Sequence, residues 1–122
     1  MVKFTLVLIA EPYKYEAADT MLNLAESILR KGHEIVGIFL YGSGVYLGKG
    51  GRNLSKNSRD LPEKLSTFIT KNQIPLTACS TWISITGIKQ EEFIDGLNQE
   101  GLGRLSYYMA QSDRVVVFGS GV

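Results

Sequence analysis

The sequence is poor in the residues that build disulfides and metal cages. Its 122 residues include one cysteine and one histidine. One cysteine cannot form a disulfide within the chain, and a cysteine-based zinc cage needs several ligands at fixed spacings. We therefore expect a reducing compartment, no bound metal and no cofactor.

A large net charge and a long hydrophobic run are missing as well. The formal charge is +1 at pH 7, which gives no electrostatic reason to bind DNA, RNA or an acidic membrane surface. The apolar residues 4–10 are too few to span a membrane, and no signal-peptide cleavage region follows them. We expect a cytoplasmic protein with neither a nucleic-acid partner nor a membrane partner.

The single histidine is also badly placed for a Ser-His-Asp hydrolase, which needs a histidine between its nucleophile and its acid. His33 directly follows Gly32, which suits the end of a helix, and it precedes an apolar segment that suits a strand. We therefore expect His33 at the end of the sheet that lies away from the functional site.

What is present suits one α/β domain that covers residues 1–122. Strands are predicted at residues 3–10, 34–40, 76–79 and 114–118, and helices at residues 18–31, 60–69, 91–97 and 102–111. Residues 80–88 are undecided, because β-branched residues fill a segment where a parallel fold needs a helix. The alternation predicts a three-layer α/β/α sandwich with a mainly parallel sheet of four to five strands.

The glycine-rich segment 41–52 invites a nucleotide-binding interpretation, but its pattern does not fit. Gly42 and Gly44 have the dinucleotide spacing, whereas the third position is Leu47, and no P-loop sequence occurs. A flexible loop without a ligand is favoured. The alternative is a rim of bare backbone amides and cations that attracts a small anion, formed by Lys14, Gly42, Gly44, Lys49, Arg52 and Ser80.

Cys79 is the best candidate for a reactive group. It ends the third predicted strand, and chemistry in parallel sheets collects beyond the carboxyl ends of the strands. Ser80 and Thr81 follow and favour a helix start, whose N–H groups stabilise a thiolate, the nucleophilic form of the group. Taken alone, the residues still favour a second interpretation, in which Cys79 is a small apolar core residue.

Three stretches in order resemble the DsrE/TusD family of sulfur-relay proteins. Residues 32–41 read GHEIVGIFLY and precede a GVY at residues 44–46; residues 76–79 read LTAC and precede a GI at residues 87–88. Residues 101–103 read GLG and precede DRVVVF at residues 113–118. Each stretch alone is short, but together they run in register over nearly the whole chain.

This resemblance implies a three-layer α/β fold and a sulfur carrier that holds a persulfide on Cys79. It also implies a TusA-like or related sulfur-donor protein, a sulfur-acceptor protein, and assembly as a homo-oligomer, a trimer or a hexamer. Several members of the family carry arginines just before the later glycine, where this chain has Ser84, Ile85 and Thr86. Lys14, Lys49 or Arg52 would then have to supply positive charge through space.

Two other functions stay open from the sequence. One is a non-catalytic structural subunit of a DsrE-like complex, in which Cys79 is buried and the activity belongs to another chain. The other is a domain that binds a small anion or a nucleotide through the glycine-rich segment 41–52.

Overall fold

Five strands lie side by side in one parallel sheet. The computed structural model describes residues 1–14, 16–50 and 60–119. Its strands are β1 (Lys3–Leu8), β2 (Glu34–Leu40), β3 (Leu76–Cys79), β4 (Leu97–Glu100) and β5 (Arg114–Phe118), in the spatial order β4-β3-β2-β1-β5. Its helices are α1 (Ala17–Arg30), α2 (Leu61–Asn72), α3 (Ser80–Thr86) and α4 (Leu102–Ala110), with 3₁₀ helices at Gly42–Gly48 and Gln90–Glu92. The predicted parallel α/β fold is confirmed, with the sheet at the upper end of the expected size.

The helix ends follow local chemistry that is readable in the sequence. Gly32 follows α1 with a φ of 83°, a left-handed conformation that costs glycine little. Asp60 precedes α2, and its Oδ1 accepts a hydrogen bond of 3.1 Å from the backbone N–H of Glu63, so it satisfies a donor that the helix itself leaves open. The end of α1 fixes where the chain enters β2, and the cap at Asp60 fixes where α2 begins.

The two faces of the sheet are covered unequally. The first face packs against α1 and α2 and forms the main core; its strand residues are Leu6, Leu8, Ile38, Leu40, Leu76 and Ala78. The second face carries Val7, Phe39 and Cys79 under α4, which itself has only Tyr108 fully buried. The third layer of the sandwich is therefore thin, and the single thiol lies on the sheet face that it covers.

The helix predicted at residues 91–97 is wrong. The chain forms the short 3₁₀ helix Gln90–Glu92, turns at Gly96 with a φ of 89°, and then enters β4. A left-handed glycine cannot continue a right-handed helix. β4 was missed because Leu97–Glu100 is mostly polar, as a half-exposed edge strand allows, and its conformation depends on pairing with β3.

The undecided segment after Cys79 is helical over Ser80–Thr86. It ends at Gly87, which has a φ of 75°. The β-branched residues of this segment are tolerated because Ile83 is buried against the main core, and burial of an apolar face outweighs a weak intrinsic preference for strands.

Candidate functional site

Cys79 is the last residue of β3 and directly precedes α3. Its side chain is 2% exposed and belongs to a buried cluster with Val7, Phe39 and Tyr108. No other free thiol exists in the sequence. Because Cys79 is shielded from solvent, another molecule reaches Sγ only after the side chains that cover this cluster move.

Four partly buried side chains pack against this cluster. They come from different parts of the chain: Val36 lies in β2, Tyr41 follows β2, Trp82 lies in α3, and Leu105 lies in α4. The rings of Tyr41 and Trp82 meet edge to face, with centroids 5.7 Å apart, a favoured arrangement for aromatic pairs. The cluster that contains the thiol is therefore enclosed mainly by apolar and aromatic side chains.

Tyr108 anchors α4 to the sheet beside the thiol. Its ring lies over Gly37, where an added Cβ would stand 2.7 Å from ring atoms. Its hydroxyl shares a hydrogen bond of 2.7 Å with the hydroxyl of Thr77, and its carbonyl oxygen accepts hydrogen bonds from Thr5 at 3.2 Å and Ser112 at 2.7 Å. Thr77 precedes Cys79 by two residues, so both side chains leave the same face of the sheet.

Burial raises the pKa of Tyr108 above its usual value of 10.0, and the hydrogen bond to Thr77 lowers it by less. The folded protein therefore keeps the Tyr108 proton at a pH where the unfolded chain releases it. Below about pH 10 this contribution to stability is fully present, and it is lost as the pH rises from there through the folded-state pKa. We expect Tyr108→Phe to make the loss of stability above about pH 10 less steep.

The measurement is urea unfolding at a series of pH values between about 8 and 11, compared with the wild type. The matched control is Tyr107→Phe, since Tyr107 is the neighbouring tyrosine and is 54% exposed. An equal change of slope in both variants would contradict the assignment to Tyr108.

Glu100 lies beside Cys79 and binds Arg104, and the sequence reasoning missed both charged residues. Glu100 is paired with Cys79 in the β3–β4 ladder, so both side chains leave the same face of the sheet. Arg104 Nε donates to one carboxylate oxygen of Glu100 at 2.8 Å, and its Nη2 donates to the other at 3.2 Å. These hydrogen bonds raise the pKa of Arg104. The four-residue spacing of Glu100 and Arg104 was visible in the sequence, but the place of Glu100 beside Cys79 depends on the strand that was not predicted.

The structure places the residues predicted for an anion-binding rim in several elements. Lys49 Nζ lies 3.5 Å from the carboxylate of Glu92, in a cleft that Glu63 and Asp95 also line. Lys14 lies in the turn after β1, where its backbone N–H donates to the Glu11 carbonyl at 3.1 Å. The anion rim stays a prediction.

Each of the two glycines predicted for that rim occupies a position that suits glycine, Gly42 by its backbone conformation and Gly44 by a close contact. Gly42 has a φ of 60°, and Gly44 lies against the carbonyl of Leu8 at the end of β1. Ser80 is the first residue of α3. Arg52 lies outside the described residues.

His33 lies at the opposite end of the sheet from Cys79. Its Nδ1 accepts a hydrogen bond of 3.0 Å from the backbone N–H of Val2, before the first residues of β1 and β2. Within residues 1–14, 16–50 and 60–119, no three His, Cys, Asp or Glu side chains are grouped so that they could hold a metal ion. No helix in the same part of the chain has the length and hydropathy to cross a membrane.

The sequence profile of the DsrE/DsrF-like family matches residues 2–118. The chain belongs to this family. The resemblance inferred from the three sequence stretches is thereby confirmed. Membership places the chain in a sulfur-relay family.

Curated relatives of this DsrE/DsrF-like protein match along almost their whole length. An uncharacterised protein of Methanocaldococcus jannaschii is 34% identical over 95% of this chain and 99% of its own. A sulfurtransferase TusD homolog of Vibrio vulnificus is 28% identical over 95% of this chain and 97% of its own. A putative sulfurtransferase DsrE of Allochromatium vinosum is 27% identical over 96% and 98%, respectively.

A solved structure supports the fold of this DsrE/DsrF-like chain. The ychN protein of E. coli superposes with a TM-score of 0.84, at 24% identity, over 97% of this chain and all of the other. At that level of identity the likeness shows the architecture alone. It confirms the α/β fold with helices on a parallel sheet.

Proposed function

We propose that this protein is a sulfur carrier with sulfurtransferase-like activity. It holds sulfane sulfur as a persulfide on Cys79 and passes it to a protein partner. The observation that carries the proposal is the position of the only thiol at the carboxyl end of β3, in a family with relatives named as sulfurtransferases. Ligands and chemistry collect at this edge of parallel sheets.

The chemistry needs two exchange steps and no oxidant. The Cys79 thiolate attacks the outer sulfur of a donor persulfide; the donor S–S bond breaks, and the donor leaves as a thiolate with the bonding electron pair. An acceptor thiolate then attacks the outer sulfur on Cys79, and Cys79 leaves as a thiolate. Both steps are thiol–disulfide-type exchanges, whose rates depend on the attacking thiolate and on the leaving thiol.

The single cysteine also supports separate donor and acceptor proteins. A second thiol in the chain would release the sulfur by forming a disulfide with Cys79, but the sequence has only one cysteine. The persulfide must therefore be passed to another molecule. A TusA-like carrier is the kind of donor that the family resemblance implies.

The burial of Cys79 favours a second candidate function, a structural subunit of a DsrE-like complex. A thiol that is 2% exposed behaves as a small apolar side chain unless its cover opens. In that case the fold and the assembly are retained and the sulfur chemistry belongs to a partner chain.

Persulfide loading separates the two candidates. The native protein is incubated with a sulfane-sulfur donor and its mass is measured without denaturation. We expect one added sulfur atom per chain in the wild type and none in Cys79→Ser. The control is the wild type incubated without a donor. A Cys79 that gains no sulfur and resists alkylation in the native protein, while assembly stays intact, would establish the structural subunit instead.

We also propose that the protein forms a homo-oligomer, a trimer or a hexamer. Val115 and Val117 of the edge strand β5 leave the second face of the sheet beside Thr5 and Val7, yet they are 38% and 56% exposed. A second protein surface over this edge would remove these apolar side chains from water. The same native mass measurement reports the number of chains.

A further inference from the structure

Glu100 and Arg104 form an ion pair next to the strand position of Cys79. Glu100 is directly opposite Cys79 in the β3–β4 ladder, and neighbouring strands lie about 4.8 Å apart, so the two side chains are neighbours on the second face of the sheet. Arg104 holds the carboxylate of Glu100 through two hydrogen bonds, at 2.8 and 3.2 Å. A negative and a positive charge therefore stand together beside the only thiol of the chain.

The field of this ion pair reaches the cluster that contains Cys79. Arg104 directly precedes Leu105, which packs against the cluster. Burial is the main cause that raises the pKa of Tyr108, a member of the cluster, and among the charges Arg104 lowers this pKa while Glu100 raises it. The two charges therefore act in opposite directions on a group that shares its surroundings with the thiol.

The other groups around Cys79 carry no charge near neutral pH. The side chains in and against its cluster are apolar or aromatic, and apart from Cys79 itself Tyr41 and Tyr108 are the titratable ones. Phenols ordinarily ionise only near about pH 10. Helix α3, which follows Cys79, has no acidic and no basic residue. Among the described residues packed around the thiol, Glu100 and Arg104 therefore supply the charge.

Glu100 by itself would oppose the reactive form of Cys79. Sulfur exchange needs the thiolate, and a carboxylate beside a thiolate repels it. Arg104 offsets this repulsion because its guanidinium is hydrogen-bonded to the carboxylate. The side chains of Arg104 and Glu100 are 40% and 39% exposed, so water weakens both interactions without abolishing them.

We infer that Arg104 supplies the positive charge that supports the Cys79 thiolate, by offsetting the charge of Glu100 beside it. This inference rests on the proposed function, because it names a residue that supports Cys79 in sulfur exchange. Arg104 is a positioning residue in this role, since it acts on Cys79 through Glu100. The charge comes from α4, the helix that covers the thiol's face of the sheet.

A pH titration of the thiolate tests this inference. The Cys79 thiolate is followed by its ultraviolet absorbance between about pH 6 and 10, and the Cys79→Ser form of each protein supplies the baseline that removes the tyrosines. We expect Arg104→Gln to raise the midpoint of this titration by about half to one pH unit, because an unbalanced carboxylate remains beside the sulfur. Persulfide loading of Arg104→Gln at neutral pH should be about two- to fivefold slower, because less thiolate is present.

Further variants separate charge from packing. Arg104→Lys keeps the positive charge and should keep the midpoint close to that of the wild type. Arg104→Gln combined with Glu100→Gln removes both charges and should return the midpoint to the wild-type value, whereas a packing defect would persist. The matched control is Arg114→Gln, which removes the same charge at the start of β5 and should leave the midpoint unchanged.

Three results would overturn the inference: an unchanged midpoint in Arg104→Gln, no ionisation of Cys79 in this pH range, or a shift that the double substitution does not reverse. These results differ from a failure of the proposed function. Persulfide loading with an unchanged midpoint rejects only the role of Arg104, whereas a shifted midpoint without persulfide loading rejects only the sulfur carrier.

Discussion

Gly44→Ala is expected to lower the free energy of unfolding by about 3 kcal/mol, the upper end of what overpacking costs. Gly44 lies directly against the end of β1. A Cβ there would overlap the Leu8 carbonyl oxygen and stand 2.7 Å from the carbonyl carbon. The same oxygen accepts a hydrogen bond of 2.9 Å from the N–H of Tyr41. The 3₁₀ helix Gly42–Gly48 must therefore shift or this hydrogen bond must break.

Urea unfolding checks this expectation, with the midpoint compared at an unchanged slope. Gly103→Ala is the matched control. Gly103 lies inside α4, and an added Cβ there meets nothing within 4 Å, so the substitution should stabilise the protein by about 0.5–1 kcal/mol. A decrease in the free energy of unfolding of less than about 1 kcal/mol for Gly44→Ala would contradict the packing role. The predicted anion rim would then be the remaining explanation for this glycine.

Phe39→Ala is expected to lower the free energy of unfolding by about 3–5 kcal/mol and to expose the thiol. Phe39 is fully buried, and it belongs to the cluster that holds Cys79. Its removal leaves a cavity under α4, so the cover of the cluster loses its support. Alkylation of Cys79 in the folded protein should therefore become faster than global unfolding alone allows.

Leu65→Ala is the control for this second expectation. Leu65 is also fully buried, but it belongs to the main core on the other face of the sheet. Its loss should cost a similar free energy, about 2–5 kcal/mol, while alkylation of Cys79 follows only the unfolded fraction. If alkylation of Cys79 follows only the unfolded fraction in both variants, the shielding of Cys79 does not depend on Phe39 and the second face of the sheet.

Several elements were predictable because their signals are local. The bounds of β2, β3 and β5 agree with the sequence prediction, since short apolar runs between turn residues suit strands buried in a parallel sheet. The capping by Asp60 was predictable for the same reason, because a cap and its helix are neighbours in the chain.

β4 was not predictable because nothing local specifies it. Its four residues are Leu97, Asn98, Gln99 and Glu100, and their extended conformation depends on hydrogen bonds to β3. The position of Glu100 beside Cys79 was hidden for that reason. The ion pair of Lys49 with Glu92 was not predicted either, because the two residues are far apart in the chain.

Cys79, the chain's one cysteine, shows what the sequence determines and what only the tertiary structure decides. The sequence by itself determined that one thiol ends a strand of a parallel α/β fold and that it cannot form a disulfide within the chain, because these are properties of local pattern and of composition. Only the tertiary structure decided that this thiol is buried, that Tyr41, Trp82 and Leu105 pack against its cluster, and that Glu100 stands beside it. Burial and neighbours depend on contacts between residues far apart in the chain, and no local pattern contains them.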